Sequence, residues 1–105
     1  MLLEAKNISA IAEKLNISKE DLLHDSVKIF LERKLRELKT DIFKVTSKYG
    51  IHSVEEFEEK YKKGELEEKD SWQDLQLLDH LEFKRDEVEK ILIREKLNVH
   101  SKQGK

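Results

Sequence analysis

The sequence predicts an all-α fold in which two long helices, over about residues 18–48 and 71–98, form an antiparallel hairpin. Two short helices, over about 8–15 and 53–63, complete it. Three observations carry this reading. Apolar residues at Leu23, Val27, Leu31, Leu35, Leu38, Ile42, Val45 and Tyr49 recur every three or four positions, which keeps one edge of a long helix apolar. The 105 residues contain no Pro and only three Gly, so the corners of a strand-and-turn architecture are scarce. Charged residues make up 42 % of the chain and hydrophobic ones 37 %, enough to bury one edge of each helix but not to build a thick core.

In chain order, Ile8, Ile11, Ala12 and Leu15 stand at i, i+3, i+4 and i+7, a two-turn amphipathic helix that Asn7 or Ser9 caps and Asn16 ends. Ser18 opens the second helix, with Asp21 completing a near capping box and acids in the positive first turn. Here Leu22 and Ile29 add a second apolar flank to Leu23, Val27, Phe30 and Leu31. One neighbouring helix cannot cover both flanks, so this segment is expected to meet helix 1 and a second copy of the chain. Such a helix, roughly 45 Å long at 1.5 Å per residue, also outruns a compact core of this size. Tyr49-Gly50-Ile51 reads as its stop.

Ser53 caps the third helix, which carries Val54, Phe57 and Tyr61 and ends at Gly64. Glu65–Asp70 is an acidic link. Ser71, with Asp74 three residues on, is expected to cap the last helix, whose seam is Leu77, Leu78, Leu81, Val88, Ile91 and Leu92 with a gap around Lys84–Glu87. The whole chain, 1–105, is read as one helical domain: a dimerisation half over 1–50, an acidic partner-binding arm over 51–98 and a tail over 99–105.

Charge is unevenly placed. Residues 28–48 hold seven bases and three acids, whereas 55–89 hold fourteen acids and six bases. The acidic stretch is either a solvated face matched by basic α-helical neighbours or an arm presented to a basic partner. On a helical wheel Trp72, Phe83 and Leu97 fall together, away from the Leu77–Leu92 seam. With Phe57 and Tyr61, the aromatics Trp72 and Phe83 are candidate anchors for a partner protein. The bases Lys28, Arg33, Lys34, Arg36 and Lys39 are the candidate contacts for an alternative, nucleic-acid-binding reading, although no aromatic platform accompanies them.

Chemistry is poorly supplied. Cys is absent, which removes thiolate catalysis, disulfides and Cys-based zinc sites. No phosphate-cradling glycine loop occurs, and no glycine-rich turn that would hold a strained nucleophile. Asp21 and His24 stand at i, i+3 but have no second such pair, and Asp79 and His80 diverge on a helix. No enzyme, cofactor, metal or small-molecule substrate is expected. Met1 is followed by no long apolar run, so no secretion signal or membrane span is expected and a cytoplasmic location follows. Abundant Lys and Glu resemble the composition of heat-adapted prokaryotic proteins, which coiled coils share.

The stretch Ile11–Leu35, with its Ala12-Glu-Lys-Leu-Asn-Ile-Ser18 turn before an aliphatic-rich helix, resembles the helix-turn-helix half of ribbon-helix-helix proteins, many of them antitoxins of type II toxin–antitoxin modules. The remainder, with Arg36-Glu-Leu-Lys, Lys48-Tyr-Gly-Ile, Ser53-Val-Glu-Glu-Phe-Glu-Glu and Ser71-Trp-Gln-Asp, is similar to small helical antitoxin-like proteins of prokaryotes. The resemblance implies a two-fold homodimer that masks a cognate toxin; the all-round apolar start of the second helix, Leu22, Leu23, Val27, Ile29, Phe30 and Leu31, asks for the dimer independently, and the acidic arm asks for a basic partner. The DNA-reading members carry an alternating strand before helix 1, where this chain has only Met1–Asn7. A helical DNA-binding regulator and a structural coiled-coil module are the alternatives.

Overall fold

The structure, a computed structural model, describes residues 5–95, with residues 5 and 68–70 described by backbone alone. Among the described residues four helices follow one another: α1 (Ala5–Leu15), α2 (Lys19–Tyr49), α3 (Val54–Lys62) and α4 (Glu68–Arg94). Among the described residues there is no strand. The all-α hairpin read from the spacing is the architecture of the molecule.

The helix boundaries follow from local chemistry. Asn16 takes the left-handed conformation (φ 61°), its amide donates to the Glu13 carbonyl and the Ile17 amide to the Ala12 carbonyl, which closes α1. The Ser18 hydroxyl accepts the Asp21 amide at 2.9 Å, with Glu20 and Asp21 against the positive end of α2. Gly50 (φ 66°) ends α2 in the left-handed region, where a side chain is strained. Ser53 caps α3 by accepting the Glu56 amide.

Two expected caps fail. Asn7 and Ser9 lie inside α1, which already includes Ala5. Ser71 does not open the last helix, because α4 already runs from Glu68 and its N-cap residue Glu67 makes no side-chain cap bond. Ser71 is buried in the first turns, donating to the Glu67 carbonyl one turn back and hydrogen-bonded to the Tyr61 hydroxyl at 2.6 Å. The acidic link therefore shortens as its last residues join the helix. The expected extension of this helix to Asn98 and the tail 99–105 lie outside the described residues.

α2 and α4 run antiparallel, as two cross-helix ion pairs record: Lys48–Asp74 at 2.8 Å near the corner and Lys39–Glu89 at 3.7 Å further along. Between them Leu38, Ile42 and Val45 pack against Leu75, Leu78, Leu81, Val88 and Leu92, with Leu31 and Leu35 at the margin. Each fully buried aliphatic contributes about 1.5–3 kcal/mol. In the gap between Leu81 and Val88 lies Arg85, half-buried, its guanidinium on Asp86 at 3.0 Å.

α3 closes the corner. Phe57 is fully buried, Ile51 joins it, and Val54 and Tyr61 pack around them. The Val54 amide donates to Glu82 Oε2 at 3.2 Å, which fixes the start of α3 to the middle of α4. The assembly is long and flat, 61 × 39 × 18 Å, with a radius of gyration of 19.4 Å where a compact chain of this length has about 13 Å.

Candidate interaction surfaces

The first surface is the end made by α1 and the start of α2. Register from the Lys39–Glu89 pair sets the end of α4, Arg94, opposite about Lys34. The part of α2 before that point has no α4 residue across from it among the described residues, and its helical neighbour there is α1. α1 covers little. Ala12 is buried and Ile8 half-buried, while Ile11, Leu15 and Ile17 are exposed. Of the expected dimerisation residues, Leu22 and Leu31 are half-buried, whereas Leu23, Val27, Ile29 and Phe30 are exposed. The apolar start of α2 is thus present as the spacing implied, and half of the apolar stripe of α1 lies open beside it.

The second surface is the outward side of α4. An aromatic ladder climbs to it: Tyr49 to Phe57 with ring centroids 4.6 Å apart, Phe57 to Tyr61 at 5.9 Å, and Tyr61 edge-on to Trp72 at 6.4 Å. This divides the four expected anchors. Phe57 is core and not an anchor: α3 lies across the hairpin corner, and its apolar edge is spent on closing it. Tyr61 is likewise packed against the core and tied to Ser71. Trp72 and Phe83 remain exposed, at 52 % and 60 %. Eleven residues apart, they share one face, roughly 16 Å from each other along the axis. Asp79, Asp86 and Glu87 stand exposed around them. Leu97, expected on the same face, lies outside the described residues.

The bases of α2 do not form one face. Lys28 and Lys39 flank the buried seam on one side and Lys34 on the other, Arg33 lies on the far side of the helix, and Arg36 lines a hollow with Lys39, Glu89 and Leu92. Lys39 is engaged by Glu89. A phosphate backbone needs such charges along one stripe.

At the corner, Asp74 Oδ2 accepts from Lys48 Nζ and from the Tyr49 hydroxyl. The Lys48 hydrogen bond, then the Tyr49 one, hold the Asp74 carboxyl below the ordinary range. Burial and the Asp74 contact push the Tyr49 phenol up. Lys60 Nζ donates to the Tyr49 carbonyl at 3.1 Å, placing a cation at the negative end of α2. These groups tie the hairpin together. The hollow beside Ser9, Glu13 and Asn16, about 820 Å³, is open to solvent. Among the described residues no group of three or more His, Cys, Asp or Glu is arranged to hold a metal ion. His24 and His52 each lean on a neighbouring carboxylate at 3.4 Å. No helix among them is long and apolar enough to cross a membrane.

Residues 1–102 match one protein family over nearly the whole chain. The chain belongs to the uncharacterized protein MJ0235 family. No curated protein and no solved structure matches it. For this MJ0235-family chain the functional reading therefore rests on its two surfaces.

Sequence reasoning passed over Ile17, which lies in the turn after α1 and so outside any helical stripe, and the tie made by Asp74. The sequence pairs Asp74 with a Ser71 cap. Its spacing of four from Leu78 carried the signal that it lies on the buried side of α4.

Proposed function

We propose that this protein is a non-enzymatic interaction module that works as a homodimer joined through the α1–α2 end. The carrying observation is the set of exposed apolar side chains at Ile11, Leu15, Ile17, Leu23, Val27, Ile29 and Phe30, on α1, its turn and the start of α2, where no described residue of α4 lies across. Large exposed apolar patches mark association sites.

The finer part of the reading is antitoxin-like masking of a basic protein, supported by the resemblance of the sequence to antitoxins and by the second surface. Trp72 and Phe83 supply apolar anchors, and the carboxylates around them match a cationic groove that otherwise takes phosphates. The two surfaces lie on different elements, so one subunit can hold a copy and a partner together.

Sedimentation equilibrium tests the first part. The wild-type chain is expected to be dimeric at micromolar concentration, and Val27→Glu to be monomeric with its helical circular dichroism intact; a monomeric wild-type chain overturns it. For the second part, Trp72→Ala with Phe83→Ala is expected to abolish rescue of growth from a toxic neighbouring gene while leaving dimerisation and helicity unchanged. Collapse of helicity would make these aromatics core.

A further inference from the structure

Resting on the homodimer reading, a specific arrangement follows from the pattern of charge around the open seam of α2. About Val27, the residues Glu20, Leu23, Phe30 and Lys34 stand at i−7, i−4, i+3 and i+7, all on one edge of the helix. Leu23, Val27 and Phe30 are 40, 48 and 59 % exposed. Glu20 and Lys34 are exposed and make no hydrogen bond or ion pair among the described residues. The patch thus has an apolar middle, a carboxylate at one end and an ammonium at the other, the ends about 21 Å apart along the axis.

We infer that the occupant of this seam is the same seam of a second copy, running antiparallel about a two-fold axis near Val27. That operation carries Glu20 onto Lys34 of the mate, twice, and brings Leu23 toward Leu31 of the mate. A parallel pairing sets Glu20 against Glu20 and Lys34 against Lys34, and like charges at an interface are costly. Antiparallel helices also oppose their end charges favourably. A closed two-fold contact uses the same patch on both subunits and leaves no open end for further growth. Among the described residues, α4 ends at Arg94, opposite about Lys34 and short of the axis.

The test uses the whole 105-residue chain, which has no cysteine of its own. Glu20→Lys and Lys34→Glu are each expected to weaken dimerisation by about tenfold or more in sedimentation equilibrium, and the double exchange to return it to near the wild-type value. In a parallel pairing neither single change alters the like-charge contacts. Under oxidation, Leu23→Cys with Leu31→Cys is expected to cross-link subunits and Leu23→Cys alone to remain unlinked. Val27→Cys, at the axis, links in either orientation and serves as the positive control. Efficient linking by Leu23→Cys alone, or dimers indifferent to both charge changes, overturns the antiparallel arrangement while the homodimer stands. A wild-type chain that stays monomeric defeats the homodimer reading instead.

Discussion

Asp74 shows how one residue can hold a corner. Its carboxylate takes hydrogen bonds from Lys48 and Tyr49, two consecutive residues in the last turn of α2. Because those bonds hold it below the ordinary range, the unfolded chain, with a carboxyl value of about 3.9, takes up a proton that the folded carboxylate still refuses. Its contribution to stability is present above that value and is lost as the pH falls through the lower, folded one. In Asp74→Asn the melting temperature is expected to be lower at neutral pH and to fall less steeply between pH 5 and pH 2 than in the wild type. A pair of pH–melting profiles by circular dichroism checks both. An unchanged acid limb would mean that the tie contributes nothing.

At the scale of the element, α3 is a nine-residue helix whose role rests on one ring. Phe57→Ala removes the fully buried side chain that joins α2, α3 and α4 and is expected to cost about 3–5 kcal/mol. Urea unfolding should register that loss, whereas Phe83→Ala, on the exposed face, should change stability by less than about 0.5 kcal/mol. A small loss at Phe57 would place the corner elsewhere. Legibility in the sequence also divides by element. The seam of α2 was readable because its apolar spacing is long and unbroken, and Ser18, Gly50 and Ser53 punctuate it with chemistry that has one meaning. Phe57 and Trp72 were not separable, because an apolar residue among glutamates looks the same whether it seals a corner or faces water. Only the position of α3 across the hairpin decides between them. Ser71 misled for a similar reason: a serine before an acidic turn suits a cap, yet here its hydroxyl bonds one turn back inside the helix.

At the scale of the whole molecule, the hairpin and the α1–α2 end have different support. The hairpin has its core within one chain, whereas the other end has Ala12 as its buried hydrophobic residue. The chain exposes 8196 Å², roughly 2,000 Å² more than a compact monomer of this mass. If a mate covers the open end, amides in Lys19–Leu31 are expected to exchange faster on dilution, while those of α3 and the middle of α4 keep their rates. Hydrogen exchange at two chain concentrations separates the two behaviours. Concentration-independent exchange throughout would deny that the end is completed by a second subunit.

Trp72, the single tryptophan of the chain, stands half in water with its edge on Tyr61. By register it lies at the closed corner, some twenty-odd residues along α2 from Val27, or roughly 30 Å away. Its indole is therefore a built-in optical reporter for one surface only. Docking of a partner on α4 should shift its emission to the blue as the ring leaves water, whereas pairing of two copies at the far end should leave the spectrum unmoved.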